Sequence, residues 1–441
     1  MRYREVEMMN NAILKSVYAS NFGPFAERVN FTLEAEKGKK EYSANLFETE
    51  NGIFDKVAYI YGANGAGKSF FCKILRQIQS IIMLSPLLAS GNTQLIDSAL
   101  FKDLSDAIPT FKFEASYEDK PTLLGLCLVI GKTAYTYEFT IKDGIILSER
   151  LQKKYRRTET ILERTSPSYN DIKLKSELLS FEPNLKVVKD EVLCLSMANF
   201  LNNKLAMQLI DAIQAIPVLN MASLRVGMNI GEEAFCDERL QKYVKILKKA
   251  DPTMQSLKVS FEDKKIKRQK FNPDDFENKE IIMATAKIAV ESSHNVFQNG
   301  KIVKTVKMPF FQTESNGTIK LFTVLPHLYN ILEEGGTLVL DEIENGLHPN
   351  VVKDLVQLFY NEETNPYHAQ LICTTHDVGL IEKDVRRDQV WIINKDNIGC
   401  SSINRVSTFL EIRGNVNLRQ RYMDGAFGKI PNDFFENIND E

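Results

Sequence analysis

The sequence predicts an α/β protein: a mixed central sheet, an antiparallel β subdomain inserted into it, and a helical region. Three observations predict this class. First, the apolar run Val57-Ala58-Tyr59-Ile60-Tyr61 enters the glycine-rich segment Gly62-Ala63-Asn64-Gly65-Ala66-Gly67-Lys68-Ser69. It leaves through Phe70, Phe71, Ile74, Leu75, Ile78, Ile81 and Ile82, apolar residues at helical spacing. Second, Thr337-Leu338-Val339-Leu340 and Gln370-Leu371-Ile372-Cys373 are short apolar runs that stop at polar groups, as strands buried on both faces do. Third, residues 109–151 alternate apolar and polar between turn signals at 118–121, 131–132 and 143–144, the pattern of antiparallel strands.

Taken in order, residues 13–33 alternate around Phe22-Gly23-Pro24-Phe25 and predict two strands joined by a turn. Residues 34–56 are charged and predict a loop into the strand at 57–61. The helix after the glycine loop is expected to stop by Ser85-Pro86, because proline lacks the N–H and crowds the preceding turn. A short helix is expected near 94–107, and then the antiparallel segment, beginning with Phe111-Lys112-Phe113-Glu114. Helices are expected over 203–216 and 238–249, with Pro217, Gly227 and Gly231 breaking the pattern between them. No heptad is sustained, so long coiled-coil arms are not expected. Alternation at 281–284 and 302–306 returns the chain to the main sheet, and Trp391, inside Gln389-Val390-Trp391-Ile392-Ile393, is expected in the core. The chain therefore divides into an N-terminal lobe (1–185), a mainly helical insertion (186–280) and a C-terminal lobe (281–441).

The 441 residues carry 55 Lys+Arg against 58 Asp+Glu, a formal net charge of −3, so the global basic footprint of a dedicated nucleic-acid binder is absent. Two local basic runs exist, Lys153-Lys154-Tyr155-Arg156-Arg157 and Lys264-Lys265-Ile266-Lys267-Arg268. They lack interleaved stacking aromatics apart from Tyr155 and Phe271, so weak or no nucleic-acid binding is expected. The six cysteines form no C-x-x-C pair, which leaves zinc and redox motifs unsupported and fits a reducing cytosol. The start, MRYREVEMMNN, has no signal-peptide apolar core, and no run approaches 18 apolar residues. A cytoplasmic protein without a membrane span is expected.

The chemistry lies in four stretches. Gly62 through Ser69 match the phosphate-binding P-loop, with Gly67-Lys68-Ser69 five residues after Gly62. Glycines let backbone N–H groups turn inward, and with the helix N-terminus they form an anion site. Lys68 is placed to reach the β- and γ-phosphates of ATP, and Ser69 to hold Mg²⁺. Asp341 and Glu342 end an apolar strand, where carboxylates open onto the ligand crevice of an α/β sheet. Asp341 suits the Mg²⁺ shell and Glu342 a general base that polarises the attacking water. His376, one strand later, suits a hydrogen bond to the γ-phosphate or that water. Ser315 and Gly317 open an apolar helix, a further anion site or a simple helix cap.

With these four pieces in order, the chain resembles ABC-type ATPase heads of the AAA family, the class that includes SMC proteins and OLD-family ATPases. GANGAGKS is similar to their P-loop, LVLDE to their Walker B, THD to their switch histidine, and SNGT to a divergent signature motif. The resemblance implies that Ser315 and Gly317 contact the γ-phosphate held by another subunit, so that a homodimer or larger homo-oligomer sandwiches ATP. Asn345 falls where the family's D-loop lies. The chain looks most like the RloA-like ATPases of bacterial defence and abortive-infection loci, through ASNFGPF, YGANGAGKS, ESNGT, DEIENGLHP and RRDQVWIIN…YMDGAFGKIP, from about residue 13 to 432. Two departures stand out: Asn316 replaces the usual glycine of the signature, and no glutamine near 111–115 supplies a Q-loop. Slow, sensor-like hydrolysis is therefore expected. The resemblance implies a separately encoded effector, RloB-like or another toxin. The alternatives are an SMC/OLD-like ATPase of DNA repair and a nucleotide-binding scaffold that hardly hydrolyses.

Overall fold

The computed structural model describes residues 12–37, 41–89, 108–224, 232–262, 287–409 and 417–428. The chain opens with β1 (Ala12–Ser20) and β2 (Val29–Thr32), an antiparallel pair joined through the Phe22–Phe25 turn, as the alternation predicts. Residues 46–55, expected as loop, instead form the hairpin β3 (Leu46–Thr49) and β4 (Gly52–Asp55). Glu48 faces solvent and Asp55 is buried against Arg405, while Phe47 and Phe54 stack inside, ring centroids 5.7 Å apart. β5 (Val57–Tyr61) and α1 (Lys68–Ala89) follow. Then come β6 (Thr122–Ile130), β7 (Thr133–Lys142), β8 (Ile145–Lys154), β9 (Thr158–Arg164) and β10 (Ile172–Leu174). The middle of the chain holds α2 (Cys194–Phe200), α3 (Lys204–Gln214), β11 (Val218–Asn220), α4 (Asp237–Leu247), β12 (Met254–Glu262), β13 (Lys287–Gln298) and β14 (Lys301–Pro309). The last part holds α5 (Phe310–Thr313), α6 (Asn316–Glu334), β15 (Thr337–Asp341), α7 (Pro349–Tyr360), β16 (Gln370–Thr374), β17 (Val390–Lys395), β18 (Ser401–Arg405) and α8 (Leu418–Met423).

Two large sheets result. The first is antiparallel, in the order β10-β9-β8-β7-β6-β1-β2, so the β subdomain is continuous with the two N-terminal strands. The second runs β11-β15-β16-β5-β17-β18, with β18 antiparallel and the rest parallel. All five residues of β5 are buried, yet they serve two cores. Ala58 and Ile60 join Leu14, Phe31 and Leu126 of the first sheet and Phe71, Ile74, Leu75 and Ile78 of α1. Val57, Tyr59 and Tyr61 face the opposite way, into a core with α4, α6 and α7. That double burial is why the run is continuously apolar. Each α1 side chain of this size removed from water contributes roughly 1.5–3 kcal/mol, so the helix behind the glycine loop is firmly seated. Trp391 lies in the same core, 4.9 Å from the Phe31 ring, as expected.

Other expectations need correction. α1 runs past Pro86 to Ala89, because the roughly 3 kcal/mol a proline costs inside a helix is offset by the buried face of Ile74, Ile78, Ile81 and Ile82 before it. Phe111–Glu114 is not a strand. Phe111 instead plugs a small cluster with Ala26 and Tyr117, and a single 3₁₀ turn follows. The region read as mainly helical also contributes β11 to the parallel sheet, and β12 to a three-stranded sheet with β13 and β14. The expected helix at 94–107, the basic run 264–268, the alternation at 281–284 and the breakers Gly227 and Gly231 lie outside the described residues.

Candidate active site

The loop between β5 and α1 is held open from three sides. Gly62 adopts φ +155° beside β17, where a Cβ would lie 2.4 Å from the Ile393 carbonyl oxygen. Gly67 adopts φ +114° under Pro24, 2.9 Å from the place a Cβ would occupy. The Ser401 hydroxyl of β18 donates to the Ala66 carbonyl at 2.6 Å, and the Ser401 N–H to Pro24 O at 2.7 Å. The first strand turn and the last strand of the sheet therefore both brace the loop. Around Gly65 a Cβ would meet nothing within 4 Å, so space lies open above the loop, where Asn64 and Gly65 are exposed. Ala63 and Ser69 are half-buried, Ser69 within the first turn of α1.

Lys68 is 6% exposed, and its Nζ donates to the carbonyls of its own loop, Gly62 at 2.8 Å and Ala63 at 3.2 Å. Burial pulls its pKa down, against the opposing charges of Glu344, Asp341 and Glu342, in that order of strength. The P-loop lysine and the acids at the end of β15 thus share one site. Parallel pairing of β15 with β16 and of β16 with β5 produces this, since the three strands end side by side.

Thr374, at the end of β16, organises the acids. Its hydroxyl donates to Asp341 Oδ1 at 2.6 Å and accepts the Glu342 N–H at 2.8 Å. Asn220, at the end of β11, donates to Asp341 Oδ2 at 2.6 Å. Asp341 is 2% exposed with both oxygens engaged. Glu342 takes φ +55°, a left-handed conformation uncommon for glutamate, and its Oε2 accepts from Asn345 Nδ2 at 3.0 Å. Glu344 accepts the His376 N–H on Oε1 at 2.8 Å. His376 is exposed, and burial of its inner part together with the Lys68 charge lowers its pKa from 6.5. Its imidazole is therefore neutral at pH 7, able to accept as well as donate. The Tyr61 hydroxyl fixes the same turn by donating to Asp377 O at 2.8 Å. Tyr61 packs on Tyr422 of α8 at 5.3 Å, and Tyr422 takes a hydrogen bond from the Gly62 backbone.

Ser315 caps α6, accepting the Thr318 N–H at 3.1 Å. Gly317 approaches the turn after β15, where a Cβ would lie 2.8 Å from Gly346 O. Lys320 from the same helix donates to the Asn345 carbonyl at 3.1 Å. Glu314, just before the cap, is anchored by His294 Nε2 at 2.8 Å and Ser292 at 2.7 Å. The signature-like turn is thus tied to the loop beside Glu342. His348 caps α7 ahead of Pro349.

The donor set suits a triphosphate with a hard divalent cation: inward carboxylates and a serine hydroxyl for the cation, a lysine and a helix N-terminus for phosphate. The buried Oε2 of Glu344, which has no hydrogen-bond partner, is an acceptor still waiting for a donor there. Asn220, Thr374, Glu344 and Tyr422 escaped the sequence reasoning. Thr374 alone had a local signal, as the polar residue closing an apolar run. The basic run at 153–157 sits at the β8–β9 turn, with Lys153 bonded to Glu177 at 2.8 Å and paired with Glu159 at 3.3 Å, so part of its charge is spent within the sheet. No described helix is long and apolar enough to cross a membrane.

No curated protein matches the sequence. Among solved structures, the SMC head domain from Thermotoga maritima is similar at 12% identity and a TM-score of 0.32, over 89% of this chain and 98% of that one. A family model described as "AAA domain, putative AbiEii toxin, Type IV TA system" matches residues 57–184 and 229–382. The match runs from the first residue of β5 to just beyond the His376 turn, well over half of the chain, and the protein belongs to this family of AAA domains.

Proposed function

We propose that the protein binds and hydrolyses Mg–ATP at the β5–α1 loop and uses that cycle to regulate a separately encoded effector in an anti-phage, abortive-infection system. One observation carries the ATPase reading: the buried P-loop cation Lys68 lies within the field of three carboxylates from the end of β15 and the turn after it. In this reading Lys68 and the N–H groups of 62–69 hold the triphosphate, and Ser69 and Asp341 hold the hydrated cation. Glu342 polarises the attacking water and the neutral His376 orients it. Bound Mg²⁺ supplies positive charge against the phosphate oxygens. The defence role draws support from the family description, with its putative toxin and type IV toxin–antitoxin wording, and from the RloA-like stretches of the sequence. Cells carrying the protein with its neighbouring genes are expected to resist phage, and cells carrying Lys68→Ala in the same locus to be sensitive. Equal plating efficiency on both strains would remove the defence reading and leave the ATPase one.

Two copies sandwiching ATP, with Ser315 and Gly317 of one facing the P-loop of the other, complete the proposal. Ser315→Arg is expected to leave nucleotide binding nearly intact and to cripple turnover. Loss of the cap itself costs only about 1 kcal/mol. Mixing inactive Lys68→Ala with inactive Ser315→Arg recovers part of the turnover, because one composite site then combines an intact P-loop with an intact signature. Mixed dimers that form yet show no recovery at any ratio would reduce residues 313–318 to a helix cap packed on Gly346.

A further inference from the structure

We propose that Glu344 accepts a hydrogen bond from the hydration shell of the triphosphate-bound divalent cation and so ties occupancy of the site to the His376 turn. The inference rests on the Mg–ATP reading above and names a positioning residue for it.

Glu344 lies in the turn after β15, two residues beyond Glu342. Its two oxygens have different fates. Oε1 accepts the His376 N–H at 2.8 Å and is spent on the turn that carries the histidine. Oε2 is buried and has no partner. Asp341 differs in having both oxygens engaged, by Thr374 and Asn220; Glu342 has Oε2 engaged by Asn345 and leaves no oxygen both buried and unpartnered. The strands that carry the P-loop and these acids end side by side, and the Glu344 charge is felt at Lys68 ahead of those of Asp341 and Glu342.

A desolvated carboxylate oxygen without a donor is unfavourable and is retained where a ligand supplies the donor. Water held by a hard divalent cation is such a donor, and groups that hold metal-bound water typically change metal affinity about 10–100-fold. Lys68 is the rival donor, but two of its three N–H groups go to the Gly62 and Ala63 carbonyls, and in the Mg–ATP reading the third turns to the triphosphate. A carboxylate that grips the His376 amide with one oxygen and the loaded cation with the other stiffens the histidine's turn only when the site is filled.

The test uses the full-length protein and Glu344→Gln. Glutamine keeps the shape and an acceptor for the His376 N–H while removing the charge; a thermal melt confirms folding. ATP affinity is measured by calorimetry with Mg²⁺ and again with EDTA. Amide exchange of residues 374–378 is followed in both conditions. The wild type is expected to gain affinity with Mg²⁺ and to protect 374–378. In Glu344→Gln the affinity in EDTA is unchanged or higher, the gain from Mg²⁺ shrinks about tenfold, and the added protection is lost. A full Mg²⁺ gain in the variant overturns the proposal. So does an equal affinity loss with and without Mg²⁺, which would show Glu344 acting through Lys68 or the fold. A wild-type protein with no Mg²⁺-dependent ATP binding would instead refute the Mg–ATP reading itself, and this inference with it.

Discussion

Lys68→Ala is expected to weaken ATP binding by at least about thirtyfold. The side chain is 6% exposed and lies in the field of Glu344, Asp341 and Glu342. Without it a triphosphate must enter beside three carboxylates with only backbone N–H groups to hold it. Removing one member of a buried charge pair costs about 2–5 kcal/mol, an affinity loss of roughly thirtyfold to several thousandfold. Titration calorimetry with ATP reads the loss, and a melting curve shows whether the variant is folded. A folded variant with wild-type affinity would sink the assignment of the glycine loop.

Glu342→Gln separates binding from chemistry. Turnover is expected to fall by about 10²–10⁴, the usual worth of general-base assistance, while ATP is still held. The substitution is clean because the left-handed backbone at φ +55° is as strained for glutamine as for glutamate. The amide oxygen can also still accept from Asn345, which lies 3.0 Å from Oε2. Steady-state phosphate release and nucleotide retention on a sizing column check both halves, and the variant should accumulate as the ATP-bound assembly. Wild-type turnover would move the base elsewhere, with His376 next in line.

The parts of the site legible in the sequence are those whose physics is local. β5, β15 and β16 are buried on both faces, which forces short unbroken apolar runs ending in functional groups. The P-loop is legible because close backbone approach demands glycine, and both Gly62 and Gly67 do pack against neighbours that exclude a Cβ. What stayed hidden is long-range or turn-dependent. β11 is three residues long, too short for a period, and Asn220 reaches Asp341 across 121 positions. Asp341-Glu342-Ile343-Glu344 offers three acids, and nothing in their spacing shows which one turns inward. The left-handed step at Glu342 redirects the chain, and Glu344 meets the His376 N–H with its charge felt at Lys68. The β3–β4 hairpin was masked by charges on its outer face, and Pro86 was outweighed by the packing of the helix before it.

The neighbours of β5 in its sheet are β16 and β17, both more than three hundred residues downstream. During translation at about 5–20 residues per second, the strand that carries the P-loop waits on the order of 15–60 s for either of them. Pairings this distant in sequence also close slowly, because the intervening chain must be brought together first. A ribosome-bound chain that stops short of β16 therefore has a glycine loop without the strand that aligns β15 and its acids beside it. Such a fragment is expected to be inert toward ATP, so a stalled or clipped product adds no half-working nucleotide site.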